Sequence, residues 1–586
     1  MGAEIFIVLV GSIAVSGFAR WRGWPAPLLV TAVALVVSLI PFVPSVSIDG
    51  HVLLNLVLPP LLYSAALDVS FVSFRREFSR ITSLGIGLVV VTTVGVGLVA
   101  YVIMPELGIA AALLLGAIVG PPDAVSAAAI GRKLGLPRHV MTVLSGESLI
   151  NDATSLTLVR VFAAVVAGSA VTVWDGIVEF VLAVVVGGGI GLVFGIVLHQ
   201  LRLRLNDTVL TGTIGLLLPF AAYAIAEELH GSGVLAVVAM GLFVGFNAPR
   251  TSYRTRQQDG LLWKSVDFLL EGFVFAYIGL QLPDVLTSLQ ADEGVSDLLI
   301  ALAVIGVVIL VRPVYVFVSY AIAQVMQRRR IARWKRAIEA YQRDPESAAA
   351  RRVRMRAIRA NRRGKPLTKE RLANLIPESL SVQERAVVSW TGMRGVVTLA
   401  MAAALNDLTE GAMSTIHEHV LFVCAFVVTI GTLLVQGLTL APVIKRLGVS
   451  SDAQDARDQR QLKQVRKRTN EIGQEYLRRK QKEWREEFGD ETMDRFNRIA
   501  RALVRVENDT EQEGSSPETD DPAKRQLVSK RLRELSRGWI NVRRRVLLEE
   551  RDKGTLNEEV MRELMTAVDA EELVLDTRRD LRDPQG

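Results

Sequence analysis

The chain has 586 residues, 50% of them hydrophobic and 22% charged, with a formal net charge of +7. Its mean hydropathy of +0.33 is too high for a soluble protein of this length, and successive long apolar runs make it a polytopic membrane protein. One cysteine, Cys424, excludes an intramolecular disulfide.

Met1-Gly2-Ala3-Glu4 lacks the positive region of a secretory signal, and no cleavage site follows, so the first apolar segment reads as a permanent span. Phe6 interrupts the pattern for N-terminal acylation. Thirteen spans are predicted, at about residues 3–19, 25–43, 52–70, 82–104, 107–131, 138–167, 175–199, 208–226, 231–246, 263–282, 297–325, 384–405 and 417–442. Arg20 and Arg22, Arg75, Arg76 and Arg80, Arg132, Lys133 and Arg138, Arg202 and Arg204, and Arg250, Arg254 and Arg256 all fall in alternate loops. The intervening loops hold Asp49, Glu106, Glu227, Glu228, Asp284, Asp292, Glu293, Asp407 and Glu410 and no cation. Basic loops stay in the cytoplasm, so the N-terminus is expected outside a cell membrane and the C-terminus inside.

The fifth span is interrupted. Gly120-Pro121-Pro122 directly precedes Asp123, and two consecutive prolines remove two backbone donors, so the helix should unwind there. Such backbone survives in a membrane where it lines a cavity, and its freed carbonyls suit an ion. On the sixth span, Glu147 and Asn151 share one face, and Ser148, Asp152 and Ser155 share the next. Acids at membrane depth are functional by default, whereas Asn151 and Ser155 could equally glue helices together. Arg160, Arg312 and the pair Asp267 and Glu271 fit less neatly. Arg160 and Arg312 could pair with acids or reach toward an interface, Asp267 and Glu271 could be a helix-contact pair or part of an entry route, and for all four the structural reading is favoured.

Between Gln327 and Gln383 a basic insertion carries Arg328-Arg329-Arg330, Arg351-Arg352 and Arg362-Arg363, better suited to anionic lipid headgroups than to nucleic acid. The twelfth span then places Arg394 mid-membrane between Gly392 and Gly395. A buried cation needs an acid, and Glu147 is the expected partner, leaving Asp152 and Asp123 to hold a cation. A broken helix in each half suits an inverted-repeat transporter with its site near the midplane.

Residues 1–448 therefore read as the membrane domain and 449–586 as a cytoplasmic, mainly helical tail, regulatory or dimerising. Trp484, Phe488, Phe496, Ile499 and Leu503 mark one amphipathic helix, and Leu532, Leu535, Trp539, Val542 and Val546 another. Glu513-Gly514-Ser515-Ser516-Pro517 and Asp520-Asp521-Pro522 read as a linker between them.

Gly146-Glu147-Ser148-Leu149-Ile150-Asn151-Asp152, Pro121-Pro122-Asp123-Ala124, Gly392-Met393-Arg394-Gly395, Leu58-Pro59-Pro60-Leu61-Leu62-Tyr63 and Val435-Gln436-Gly437-Leu438-Thr439 resemble the sodium/proton exchanger branch of the cation/proton antiporter superfamily. The resemblance runs through the membrane part and covers the tail only weakly. It implies a homodimer of subunits with a dimerisation domain and a core domain in which two unwound helices cross. Asp152 would be the carboxylate that binds either a proton or a monovalent cation, with Asp123 nearby and Ser148 contributing an oxygen. Asn151 would stand where electrogenic relatives carry an aspartate, and Glu147 and Arg394 would form a structural ion pair. Two positions depart from the pattern: Pro122 replaces a threonine present in many members, and Ser64 stands where some carry an acid.

Proton and cation are then rival occupants of one carboxylate, since burial favours its neutral form and a bound cation its ionised form. The expectation is one-for-one, electroneutral exchange of Na+ for H+ by alternating access, without enzymatic activity or cofactor. K+ or Li+ is the alternative cation. An intramembrane aspartyl protease is the runner-up from another class, although neither aspartate has the Gly-x-Gly-Asp context. A third reading is an ion sensor signalling through the tail.

Overall fold

Where water is absent, a spanning chain must satisfy its own peptide groups, and uncharged runs of leucine, valine and alanine do so as helices. The computed structural model describes residues 2–40, 48, 50–169, 173–205, 207–289, 294–343, 380–409, 411–505, 522–552, 556 and 558–580, and no strand occurs among them. Two units are formed, Met1–Phe246 with Gly260–Ser450, and Asn247–Asp259 with Ser451–Gly586.

The first unit begins with α1 (Gly2–Arg22) and α2 (Ala26–Ser38). Next come α3 (Leu53–Asp68) and α4 (Phe71–Ile103). The fifth expected span is split into α5 (Gly108–Ile118) and α6 (Ala124–Lys133). Then follow α7 (Arg138–Val166), α8 (Val173–Arg204), α9 (Thr208–Glu228), α10 (Gly233–Asn247), α11 (Tyr253–Leu280) and α12 (Leu282–Leu289). The unit closes with α13 (Gly294–Arg343), a second split pair α14 (Val382–Trp390) and α15 (Val396–Ala403), and α16 (Thr415–Leu447). Among the described residues nine helices are long and apolar enough to cross a membrane, and Ala26–Ser38, Leu53–Asp68 and Pro105–Ile118 are shorter apolar ones.

Several boundaries differ from the sequence reading, and the helix of the tenth span begins at Tyr253 instead of about 263. The fourth span starts eleven residues early, at Phe71, because Arg75, Arg76 and Arg80 lower the hydropathy of a first turn that is amphipathic and capped by Ser70, whose Oγ accepts the Ser73 N–H at 3.2 Å. The helix of the eleventh span continues to Arg343 and so carries Arg328-Arg329-Arg330. The basic pairs at 351–352 and 362–363 lie outside the described residues.

Glycines set how closely the helices approach, as small residues do where lipid offers no competing apolar drive. A Cβ on Gly116 of α5 would stand 2.2 Å from the carbonyl oxygen of Thr93 in α4, and one on Gly191 of α8 would stand 2.0 Å from that of Ala236 in α10. Residues 83–88 of α4 wind as a π-type segment, and there Gly85 faces Ile150 with room for no Cβ. Such segments often mark functional positions in helices. This one lies against the neighbour of Asn151.

The second unit packs α17 (Asp452–Phe488), α18 (Met493–Arg505), α19 (Pro522–Asp552) and α20 (Glu558–Asp580) around Trp484, Phe496, Leu535, Trp539 and Val560. The expected single helix through Trp484 and Leu503 is two. Gly489 takes φ 72°, which ends α17, and the indole N–H of Trp484 donates to Thr492 Oγ1 at 2.9 Å across the turn. Most of the expected linker lies outside the described residues. Asn247–Asp259 joins this unit through Arg256, whose guanidinium pairs with Asp569, and Asp569 also accepts from Arg544 at 3.0 Å.

Gly116→Ala should lower the stability of the detergent-solubilised protein by about 1–3 kcal/mol, the usual cost of overpacking a tight contact. Gly188→Ala, with nothing within 4 Å of its Cβ, should leave it unchanged. Thermal unfolding of the two variants side by side measures the difference.

Candidate functional site

The two helix breaks meet. Residues 119–123 between α5 and α6, and 391–395 between α14 and α15, are non-helical, and the Asp123 N–H donates to the Met393 carbonyl at 2.6 Å. Side chains meet further backbone groups at both breaks. Asn151 Nδ2 donates to the Pro122 carbonyl at 2.7 Å and Ser155 Oγ to that of Ala117 at 2.6 Å. Thr432 Oγ1 accepts the Arg394 N–H at 3.0 Å, and Arg394 Nη1 returns to the Gly392 carbonyl at 2.9 Å. A Cβ on Gly395 would stand 2.7 Å from Asp123 Cγ, so glycine is needed there for the aspartate to lie against the opposite backbone.

Asp152 projects toward this junction from α7. It is 6% exposed, within electrostatic reach of Asp123, and makes no hydrogen bond among the described residues. Half-buried Asp123 accepts from Ser126 Oγ through Oδ2 at 3.0 Å. Asn151 is fully buried, and with its NH2 committed to Pro122 its Oδ1 has no hydrogen-bond partner among the described residues. Ser148 lies half-buried one turn before Asp152 on the same face. Two carboxylates within electrostatic reach of each other thus lie at this junction, with an amide oxygen bare of donors on the residue before Asp152 and the Ser148 hydroxyl one turn away along α7. That oxygen set suits a hard monovalent cation, and no buried donor competes for Asp152.

The ion pair is not the one expected. Glu147 is held by Arg312 of α13, with Nη1 to Oε1 at 2.5 Å and Nη2 to Oε2 at 2.9 Å, and both side chains are 2% exposed. Arg312 Nε also donates to the Val388 carbonyl at 3.0 Å, tying α13 to the end of α14. One bidentate guanidinium saturates both carboxylate oxygens. Arg394 therefore folds back onto its own loop, within electrostatic reach of Glu147 but unbonded to it.

Three further charges find places that spacing could not assign. Arg160 pairs with Glu227 of α9. Asp267 of α11 accepts from Ser64 Oγ at 2.5 Å, which brings an acid from another helix to the position where Ser64 departs from the family pattern. Glu271, one turn on, lies within electrostatic reach of Asp267 and of Asp123. Asp267 thus makes the helix contact favoured above, and Glu271 in addition comes within electrostatic reach of Asp123. Thr432 was missed altogether: a threonine in an apolar helix carries no signal of the backbone it caps.

Arg312→Met leaves the Glu147 carboxylate buried without its partner and should cost about 3–5 kcal/mol of stability. Arg394→Met should cost clearly less, and Arg312→Met with Glu147→Gln should recover most of the loss. Thermal unfolding in detergent ranks the three; a larger loss in Arg394→Met would reverse the assignment.

The family model described as "Sodium/hydrogen exchanger, transmembrane" matches residues 5–446. A Na+/H+ exchanger of Mycobacterium tuberculosis strain H37Rv is 29% identical over 98% of this chain and 96% of its own. The Na+/H+ antiporter ApNhaP of Aphanothece halophytica is 28% identical over 78% of this chain and 77% of its own. Among solved structures, the sodium proton antiporter MjNhaP1 from Methanocaldococcus jannaschii superposes with a TM-score of 0.55 at 16% identity, covering 76% of this chain and 98% of that one. The fold is shared with that antiporter, the motifs fall at the junction of two broken helices, and the family match spans the membrane part: the chain belongs to the sodium/hydrogen exchanger family.

Proposed function

We propose that this protein exchanges one monovalent cation, Na+ in the first place, for one proton across the cell membrane, with both ions competing for Asp152. The observation that carries the reading is Asp152 itself: enclosed in the bundle yet not sealed, without a hydrogen bond among the described residues, and beside Asp123. Protonated, the carboxyl is at home in its low-dielectric setting; ionised, it needs a cation, which Asp123 and Asn151 Oδ1 help to hold. Glu147 carries no part of this charge because Arg312 neutralises it. With an amide at position 151, one titrating charge fewer faces the cation, which supports electroneutral stoichiometry.

The nine long helices, the three shorter apolar ones, the last continued by α6, and the split α14–α15 support thirteen crossings. Basic loops then face the cytoplasm, with the N-terminus outside. The two breaks, one in each half, are read as inverted repeats in a homodimer whose core moves against a scaffold to give alternating access. The basic insertion lies on anionic headgroups. The protease alternative is unsupported, since the matching family and relatives are exchangers. pH homeostasis is the physiological role that such an exchange serves.

In proteoliposomes containing a pH dye, Na+ should drive proton movement, and Asp152→Asn should reduce it to the protein-free background while the variant still elutes as folded protein. Substantial exchange in that variant, or a rate that follows an imposed membrane potential, would refute the competition or the stoichiometry respectively. K+ or Li+ in place of Na+ ranks the cations. A chain ending at Val449 should keep measurable exchange; its loss would favour the sensor reading.

A further inference from the structure

A cavity of about 340 Å³ on the acidic-loop side of α7 takes no part in the site described above. It is lined by Leu156, Val159 and Arg160 of α7, by Tyr223 and Glu227 of α9, and by His230 of the next turn. Asp152, Leu156, Val159 and Arg160 follow at steps of four, three and one and form one stripe of α7. The cavity therefore continues the face that carries Asp152, beginning one turn, about 6 Å, beyond it. Leu156, 8% exposed, is the side chain between.

The Arg160–Glu227 pair joins α7 to α9 at this cavity, and its side chains are 35% and 27% exposed. Exposure of that order marks a solvated pair that opens readily rather than a packed structural one. Glu227 is nonetheless held in a fixed direction. Its Oε1 accepts the Gly233 N–H at 2.8 Å, and a Cβ on Gly233 would stand 2.9 Å from that oxygen and 2.7 Å from the Tyr223 ring. The turn between them is closed by the Gly231 N–H on the Ala226 carbonyl at 2.7 Å, with His230 in the left-handed region at φ 55°. A carboxylate so fixed, in a cavity one turn along the Asp152 face of α7, has the chemistry of a cation ligand, and the Arg160 guanidinium occupies it. Glu179 of α8 also lines the cavity and gives a released guanidinium a second carboxylate.

We propose that Glu227 is an outer binding station for the transported alkali cation and that Arg160, as a tethered cation, gates it, so that the pair closes the outward path to Asp152. The proposal rests on the exchange reading above and on its sidedness. A movement of α7 that opens Asp152 outward parts Arg160 from Glu227, and an entering cation takes the vacated carboxylate. An exposed pair biases such an equilibrium by about fivefold at most, which holds the path shut and still lets it open in every cycle.

The test uses the full-length protein in right-side-out vesicles, with Leu156→Cys as reporter and a membrane-impermeant maleimide added outside. Native Cys424, 0% exposed, serves as the folding control and should stay unlabelled. Arg160→Gln should raise labelling of the reporter about fivefold. Glu227→Gln, which breaks the pair from the other side, should do the same, and Arg160→Glu with Glu227→Arg should restore protection. Unchanged labelling in both single variants, or a reporter reached only from the cytoplasmic face, overturns the gate. This arm needs no transport, so its outcome stands apart from failure of the exchange reading. In transport, Glu227→Gln should raise the apparent KM for outer Na+ about fivefold and Arg160→Gln should lower it, the inner KM staying put in both. Equal shifts on both faces would overturn the binding station and leave the pair structural.

Discussion

Two helices interrupted inside a membrane create a problem that fixes nearly everything around them: freed peptide groups at that depth have no water to turn to. One direct bond, from the Asp123 N–H to the Met393 carbonyl, lets each break serve the other. Side chains from neighbouring helices meet further groups, Asn151 and Ser155 from α7, Thr432 from α16 and Arg312 from α13. This explains why a polar stripe on α7 must sit opposite the first break. It also gives Asn151 a division of labour, since the donor half of its amide is committed to Pro122 and the acceptor half has no hydrogen-bond partner among the described residues.

The charges divide along the same lines. Glu147, Asp123 and Asp152 lie near the junction with two guanidiniums, and Glu147 is the acid that Arg312 neutralises. The bidentate Glu147–Arg312 pair is closed and buried. A buried pair is weak evidence of net stability, because desolvation offsets much of the attraction. Its value here is selective: it removes one carboxylate from the competition and fastens α7, α13 and α14 together around the remaining two.

Much of this was legible in the chain. Gly120-Pro121-Pro122 and the glycines flanking Arg394 announced both breaks, and helical spacing put Asp152 and Asn151 on adjoining faces. Spacing orders residues along one helix, however, and says nothing about which distant helix supplies a partner. Arg312 and Arg394 were therefore indistinguishable as candidates for Glu147, and the bond from Ser64 to Asp267, joining residues 203 positions apart, left no trace in either segment. In the tail, Gly489 inside an unbroken hydrophobic rhythm hid the division of α17 from α18.

The acids beyond Asp152 toward the two sets of loops have different partners, in a way that follows from the same chemistry. On the side of the basic loops, Asp267 is met by a serine hydroxyl, and Glu271 lies between it and Asp123 in electrostatic terms. A hydroxyl and a carboxylate can share a cation, although Arg132 lies within electrostatic reach of both Asp267 and Glu271. On the side of the acidic loops, Glu227 is met by a guanidinium, and a guanidinium replaces a cation instead of sharing it. Asp267 and Glu227 thus meet an approaching ion with different hydrogen-bonding partners, a hydroxyl and a guanidinium. A single helix, α7, carries both Asp152 and Arg160, so whatever moves the binding carboxylate moves the obstacle with it.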